Sequence, residues 1–145
     1  MFHYWNAAAM RFMLLLPTLA MVSVSGAEAA QPIAGRWITD DGKAVVNIVL
    51  CGKLMCGHIT KILVPSLNGP PVDERNPNPK LRRRPLQGLE VLSGFSNQGK
   101  DWRGHVYDPE AGRWYRSILS REPEGLKAQG CILIFCRAQH WVPAR

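Results

Sequence analysis

The chain lacks the run of about 20 apolar residues that a bilayer-spanning helix needs. Its longest apolar stretch, Phe12 to Val24, falls short of that and is broken by Pro17. Nor does any part after residue 30 keep the 3.6-residue apolar period of an amphipathic helix, which excludes bundles and doubly wound α/β folds. There is no H-E-x-x-H, no glycine-rich loop leading into a helix, and Ser93-Gly94 has none of the flanking residues of a nucleophile elbow. Those absences remove the commoner hydrolase and nucleotide-binding chemistries. Carboxylates are also scarce, eleven against eighteen Lys and Arg, for a net charge of +7.

The short apolar stretch has another use. Arg11 precedes it and the small residues Ser25, Gly26, Ala27, Ala29 and Ala30 follow it, which is the layout of a cleaved secretory signal peptide over residues 1–29. Ala27 or Ala29 precedes the cut, and no cysteine lies there to accept a lipid. Met10-Arg11 opens a more usual signal than Met1-Phe2-His3 does, so Met10 is the expected start of translation. What remains, residues 30–145, is roughly 116 residues, enough for one core and too few for two. The expected location is periplasmic or secreted. Positive charge there meets lipid headgroups and acidic polymers, and nucleic acid is not an expected partner.

Export bears on the four cysteines, Cys51, Cys56, Cys131 and Cys136. Both pairs have a C-x4-C spacing, and an oxidising compartment favours disulfides over zinc, the competing reading. Residues five apart on a strand are about 16 Å apart, whereas bridged Cα atoms are about 5.5 Å apart, so a local bridge demands a chain reversal. Each local bridge would staple a β-hairpin; cross-pairing between the two halves supplies the other two of the three connectivities that four cysteines allow.

Short alternating or β-branched runs recur between turn residues: Ile33–Thr39, Ala44–Leu50, Gly57–Ile62, Gly88–Phe95, Trp102–Tyr107, Arg113–Ser120, Leu126–Gly130 and Arg137–Val142. The last five are joined by tight connections, so sequential neighbours pair antiparallel. The fold class is therefore all-β. A meander of eight strands leaves edges exposed unless it closes, and an eight-stranded up-and-down barrel removes them; a two-sheet sandwich or half-open barrel is the alternative.

Gly35-Arg36-Trp37 and the late Arg137 resemble the Gly-x-Trp and arginine of the lipocalins, a likeness that implies Arg137 packing over Trp37 near the closed end. A fuller resemblance, to the exported bacterial family catalogued as domain of unknown function 2147, runs from Gly35 through Lys43, Cys51 to Gly57, Asn76 to Leu86, Leu89 to Phe95 and Tyr107 to Gly112, and on to Cys136-Arg-Ala-Gln-His-Trp141. It implies a lipocalin-like barrel and brings no catalytic residues. Gly35, Trp37, Arg137 and Trp141 are expected to be structural, and Trp37, Trp102 or Trp114, and Trp141 to plug the interior.

Strand alternation groups the turn at 40–43, the long loop at 64–85, the turn at 108–112 and the second cysteine hairpin at one end. The loop is stiffened by Pro70, Pro71, Pro77, Pro79 and Pro85 and reads as an ordered lid. Of Arg82, Arg83 and Arg84, at most two face a common ligand, the third being solvated or paired with Asp73 or Glu74. Ile132, Leu133, Ile134 and Phe135 form an apolar tip that either tucks under the loop as a plug or lines a mouth with those arginines. The expected function is binding of a small hydrophobic or amphiphilic anionic molecule, with no cofactor and no metal. The runner-up is a structural or interaction module of the cell envelope without a small ligand, contacting an anionic membrane surface or an envelope protein. Catalysis is not expected: His58, His105 and His140 form no motif with a carboxylate, although His105 and Tyr115 are candidate cross-strand neighbours. Oligomeric state is not legible.

Overall fold

The structure, a computed structural model, describes residues 29–64 and 66–145. The signal segment and the start at Met10 fall outside the described residues, Ala29 apart. Eight strands follow one another: β1 (Gly35–Ile38), β2 (Ala44–Cys51), β3 (Leu54–Ile62), β4 (Glu90–Asn97), β5 (Trp102–Asp108), β6 (Arg113–Glu122), β7 (Gly125–Ile132) and β8 (Phe135–Pro143). They pair in sequence order, antiparallel throughout, and β8 returns to β1 to close the barrel. The closed alternative is thus the one adopted. A single 3-10 turn, Pro79–Leu81, interrupts the long loop.

The ladders run further into the cysteine hairpins than the alternation pattern suggests. Cys51 pairs with Leu54, and Cys131 lies directly opposite Cys136, which leaves only Gly52-Lys53 and Leu133-Ile134 as turns. Cys51 bonds Cys56 and Cys131 bonds Cys136, with Cα separations of 5.8 and 4.0 Å. Both bridges are local, so cross-pairing and zinc are ruled out together.

Side chains opposite one another across a ladder share a face, and successive residues alternate. Leu119, fully buried, therefore puts its partner Trp102 inside, and Ser117 does the same for Gly104. A Cβ at Gly104 would strike the Phe95 ring and the Ser93 carbonyl, so bare backbone here makes room for Phe95, itself fully buried. Trp37, Val46, Ile48, Leu92, Leu126 and Trp141 complete an apolar core. Of the tryptophans suggested as plugs, Trp37 and Trp141 are buried, Trp102 is partly buried against the core, and Trp114 is exposed.

One end of the cylinder is sealed by the segment ahead of β1. Ile33 is fully buried and accepts a hydrogen bond from Trp37 Nε1 at 3.0 Å, and Gln31 accepts one from Trp102 Nε1 at 2.9 Å. The cation over Trp37 is Arg121, 4.5 Å from the ring, and not Arg137. Register keeps Arg137 away. Trp37 pairs with Pro143, and Arg137 lies six residues up β8, about 20 Å away at strand rise. Arg121 instead ends β6 beside Leu126, whose partner is the buried Trp141.

At the other end, Lys43 Nζ meets Glu110 Oε1 at 2.6 Å, joining the β1–β2 and β5–β6 turns, and Leu63 donates its amide to the Lys43 carbonyl at 2.8 Å. These contacts and the alternation of strands place the long loop, both turns and the β7–β8 hairpin at one end, as the topology requires. The seam that closes the barrel is short. β1 is four residues long and meets β8 at only two positions, Trp37–Pro143 and Ile38–Val142, so Phe135 to Gln139 pair with β7 alone.

A cleft between the long loop and the β5–β6 hairpin

The loop between β3 and β4 is held by one buried carboxylate. Asp73 is fully buried and its Oδ1 accepts the Tyr107 hydroxyl at 2.8 Å. Its Oδ2 accepts Asn76 Nδ2 at 2.8 Å, Arg84 Nε at 2.9 Å and Arg84 Nη2 at 2.8 Å. The Asp73 amide donates to the Arg84 carbonyl at 3.0 Å, closing the loop's neck. A buried carboxylate so surrounded has both oxygens hydrogen-bonded and a cation beside it, which is the condition for burying it at all.

Tyr107 tells which face the loop covers. Val106 pairs with Leu92 and Tyr115 on the inner face, so Tyr107 and its partner Trp114 point outward. Tyr107 is nonetheless almost wholly buried, because the loop is seated on it. The ordered loop expected from its prolines is therefore a flap on the outer wall of β5 and not a lid across the mouth. Burial, and then the adjacent Asp73 carboxylate, push the Tyr107 phenol above its usual pKa.

Between this flap and the β5–β6 hairpin lies a cleft of about 470 Å³. Pro77, Leu81 and Leu89 give it apolar walls, and Trp114, 46% exposed, presents its ring. Trp114 leans on Tyr107 with centroids 5.2 Å apart. Arg84 and Arg113 bring two cations to the lining and Glu90 one carboxylate. Gly112 is fixed at this spot: it has φ +65°, and a Cβ would collide with the Arg75 carbonyl of the loop. A second depression, about 240 Å³, is lined by Ile62, Val64, Pro70, Pro71, Pro85 and Gln87 and holds no charged side chain.

Of the three loop arginines, Arg84 pairs with Asp73, one of the two outcomes the sequence allows, and it also borders the cleft. Arg82 donates Nε to the Asn76 carbonyl at 2.9 Å and so braces the loop, while Arg83 is exposed. The apolar tip is not assembled with them. Ile132, Leu133, Ile134 and Phe135 are 57, 85, 86 and 76% exposed, so the plug reading is overturned. The hairpin is longer than the rim, and β8 has no partner on its far side to draw it inward. His105 pairs with Arg116, not Tyr115, a one-residue offset set by the four-residue turn Pro109 to Gly112. His140 points outward, 3.1 Å from Glu122.

Sequence reasoning missed Trp114, Arg113 and Leu89 as a unit. A signal was present, since Trp114 falls on the outward register of β6 with no obvious cover. Cys56, His58 and Glu90 bring potential ligand atoms within 4.8 Å, but the Cys56 sulfur is in a disulfide, so the trio offers no thiolate. His58 and Glu90 are 3.6 Å apart, too far for a hydrogen bond.

Among solved structures, the chain is similar to one described as "Protein HP1028 from the human pathogen Helicobacter pylori belongs to the lipocalin family". The TM-score is 0.69 at 21% identity, with 79% of this chain and 84% of that chain covered. The likeness is one of fold. No curated protein matches the chain. Two disulfides together with the bacterial distribution of the matched family suggest an extracytoplasmic protein, and no described helix is long and apolar enough to cross a membrane. Residues 35–142 match the family described as "Uncharacterized protein conserved in bacteria (DUF2147)", and the chain belongs to that family, with a lipocalin-like barrel as its fold.

Proposed function

We propose that the protein is an exported binding protein, periplasmic or secreted, that takes a small amphiphilic anion in the cleft between the loop and the β5–β6 hairpin. The observation that carries this reading is the joint presence of Trp114, three aliphatic walls and two guanidinium groups around about 470 Å³. That volume suits a small ligand, for which sites run about 300–1,000 Å³ with mostly apolar walls and few polar groups. Arg113 and Arg84 would meet a carboxylate or sulfonate, and Trp114, Leu81 and Leu89 the tail. Arg84 already serves Asp73 through Nε and Nη2, so Arg113 is the freer headgroup partner.

Binding, not catalysis, is the function proposed. Near the cleft, the His58–Glu90 pair is half exposed and lacks the hydrogen bond between its members that an acid–base relay would use. The filled core of Trp37, Phe95 and Trp141 favours a ligand held at the wall and not in the barrel's lower interior. Decanoate titration followed by tryptophan fluorescence and calorimetry tests the proposal. Saturable one-to-one binding is expected, weakened about tenfold or more by Trp114→Ala and by Arg113→Gln. Native mass spectrometry of protein purified from its host would show the natural ligand as an adduct. Equal affinity in both variants would sink the cleft as the site, and no binding by decanoate with a clean apo mass would favour a module without a small ligand.

A further inference from the structure

The apolar fingertip takes no part in that cleft. We infer that the β7–β8 hairpin is a membrane-docking finger, inserting Ile132, Leu133, Ile134 and Phe135 into the interface of a bilayer with anionic headgroups. Three independent features of the hairpin point there.

The first is exposure without function in the fold. The two turn residues, Leu133 and Ile134, are 85 and 86% exposed, so their side chains do almost nothing for the barrel's own stability. A finger of four adjacent apolar residues has no inward and outward alternation, which a strand serving only its own sheet would show.

The second is strain at the apex. Leu133 has φ +55°, the one non-glycine residue at positive φ among the described residues. Hairpin turns of two residues take Gly, Asn or Asp at such positions, because a branched or bulky side chain is disfavoured there. Leucine at this position is unfavourable for the turn and unused by the core. Contact with something apolar outside the molecule gives it a role. The disulfide Cys131–Cys136, directly beneath, holds the turn so that all four side chains leave the same apex.

The third is charge. From Ala111 to Arg121 and from Gly125 to Arg145 the chain contains no Asp or Glu, while carrying Arg113, Arg116, Arg121, Lys127, Arg137 and Arg145. Arg116 lies opposite Cys131 and Arg137 opposite Gly130, so two guanidinium groups flank the base of the finger. Among the described residues, the carboxylates hydrogen-bonded to the hairpin from other elements meet it at His140: Asp40 accepts its amide at 3.2 Å and Glu122 its ring at 3.1 Å, both further down the hairpin. Apolar tip followed by a cationic collar is the order in which a bilayer presents acyl chains and then anionic headgroups. A second copy of the chain fits less well, because a stable protein interface uses roughly 20 residues a side and the finger offers four apolar ones flanked by like charges.

The test uses the chain from Ala29 onward, which contains the entire described barrel, and vesicles of phosphatidylglycerol mixed with phosphatidylcholine. The wild type should co-sediment with these and only weakly with pure phosphatidylcholine. Leu133→Asn suits the positive φ and removes the apolar side chain, and Ile134→Ser is the second variant; each should lower the bound fraction at least threefold, and the pair about tenfold. Arg116→Gln with Arg137→Gln should weaken binding to the anionic vesicles while leaving the weak binding to neutral ones unchanged. Circular dichroism and decanoate affinity serve as folding controls, so a failure of the finger is separable from a failure of the cleft. Unchanged sedimentation of the tip variants, no sedimentation of the wild type, equal binding to neutral vesicles, or a tip-dependent dimer in sedimentation velocity without lipid would each overturn the inference.

Discussion

Replacing Asp73 by Asn tests the claim that one buried carboxylate seats the long loop on the barrel wall. The substitution preserves size and removes the charge. Oδ2 accepts from three donor nitrogens and Oδ1 from the Tyr107 hydroxyl, so an amide nitrogen at the Oδ2 place faces three donors, and one at the Oδ1 place takes from the hydroxyl its nearest acceptor. The guanidinium of Arg84, one-third exposed, then loses its partner. Breaking a buried pair by neutralising one member costs about 3–5 kcal/mol. The loop can escape part of that by detaching, which caps the loss at the free energy of local opening. Two readouts separate these routes. Urea unfolding should give a stability loss of about 2–4 kcal/mol, and amide exchange should show lost protection at Asp73, Asn76, Arg84 and Leu86 while β1, β2 and β8 keep theirs. Tyr107→Phe should cost less, about 1.5–3 kcal/mol, since it removes one hydrogen bond to a charged group. A stability change under about 0.5 kcal/mol for Asp73→Asn, with loop protection retained, would refute the reasoning.

Other consequences are independent of that one. Arg121→Met should lower stability by about 0.5–2 kcal/mol through loss of the cation over Trp37, while Arg137→Met should leave the thermal midpoint unchanged. Reducing the two disulfides should cost at most about 2–3 kcal/mol each, because both close short loops, and urea unfolding with and without reductant measures it. Gly112→Ala should destabilise by more than about 1 kcal/mol, since φ is +65° and the Arg75 carbonyl occupies the space a Cβ would need. Tyr107 adds an alkaline dependence. Its pKa is raised in the folded state, so the native form binds the phenolic proton more tightly; the contribution is fully present below about pH 10 and lost as pH climbs through the folded value. Urea unfolding between pH 9 and 11 should therefore fall more steeply for the wild type than for Tyr107→Phe.

The barrel was legible because alternation and tight turns are local signals. Val46 and Ile48 announce a face by themselves, and the C-x4-C spacing announces a reversal. Arg84 with Asp73 could be anticipated from opposite charge within one loop. What failed to show was long-range register. Whether Arg121 or Arg137 meets Trp37 depends on where β8 crosses β1, and the offset of His105 from Tyr115 depends on one residue of turn length, which flips the face. The seat of the loop was hidden for a similar reason. Asp73 and Tyr107 are 34 positions apart, and nothing in the residues between them says that the carboxylate is buried. The cleft follows from that seat, so Trp114 could be placed on the outer face from sequence but not beside Leu81 and Leu89.

The central claim is that the flap held by Asp73 makes a binding cleft against β5 and β6. Backbone amide and indole spectra of the isotope-labelled barrel, recorded during a decanoate titration, test it most directly. Saturating shifts concentrated at Leu81, Leu89, Arg113, Gly112 and the Trp114 indole are predicted. Shifts confined to the barrel interior around Trp37 and Trp141, or no shifts at all, would contradict it.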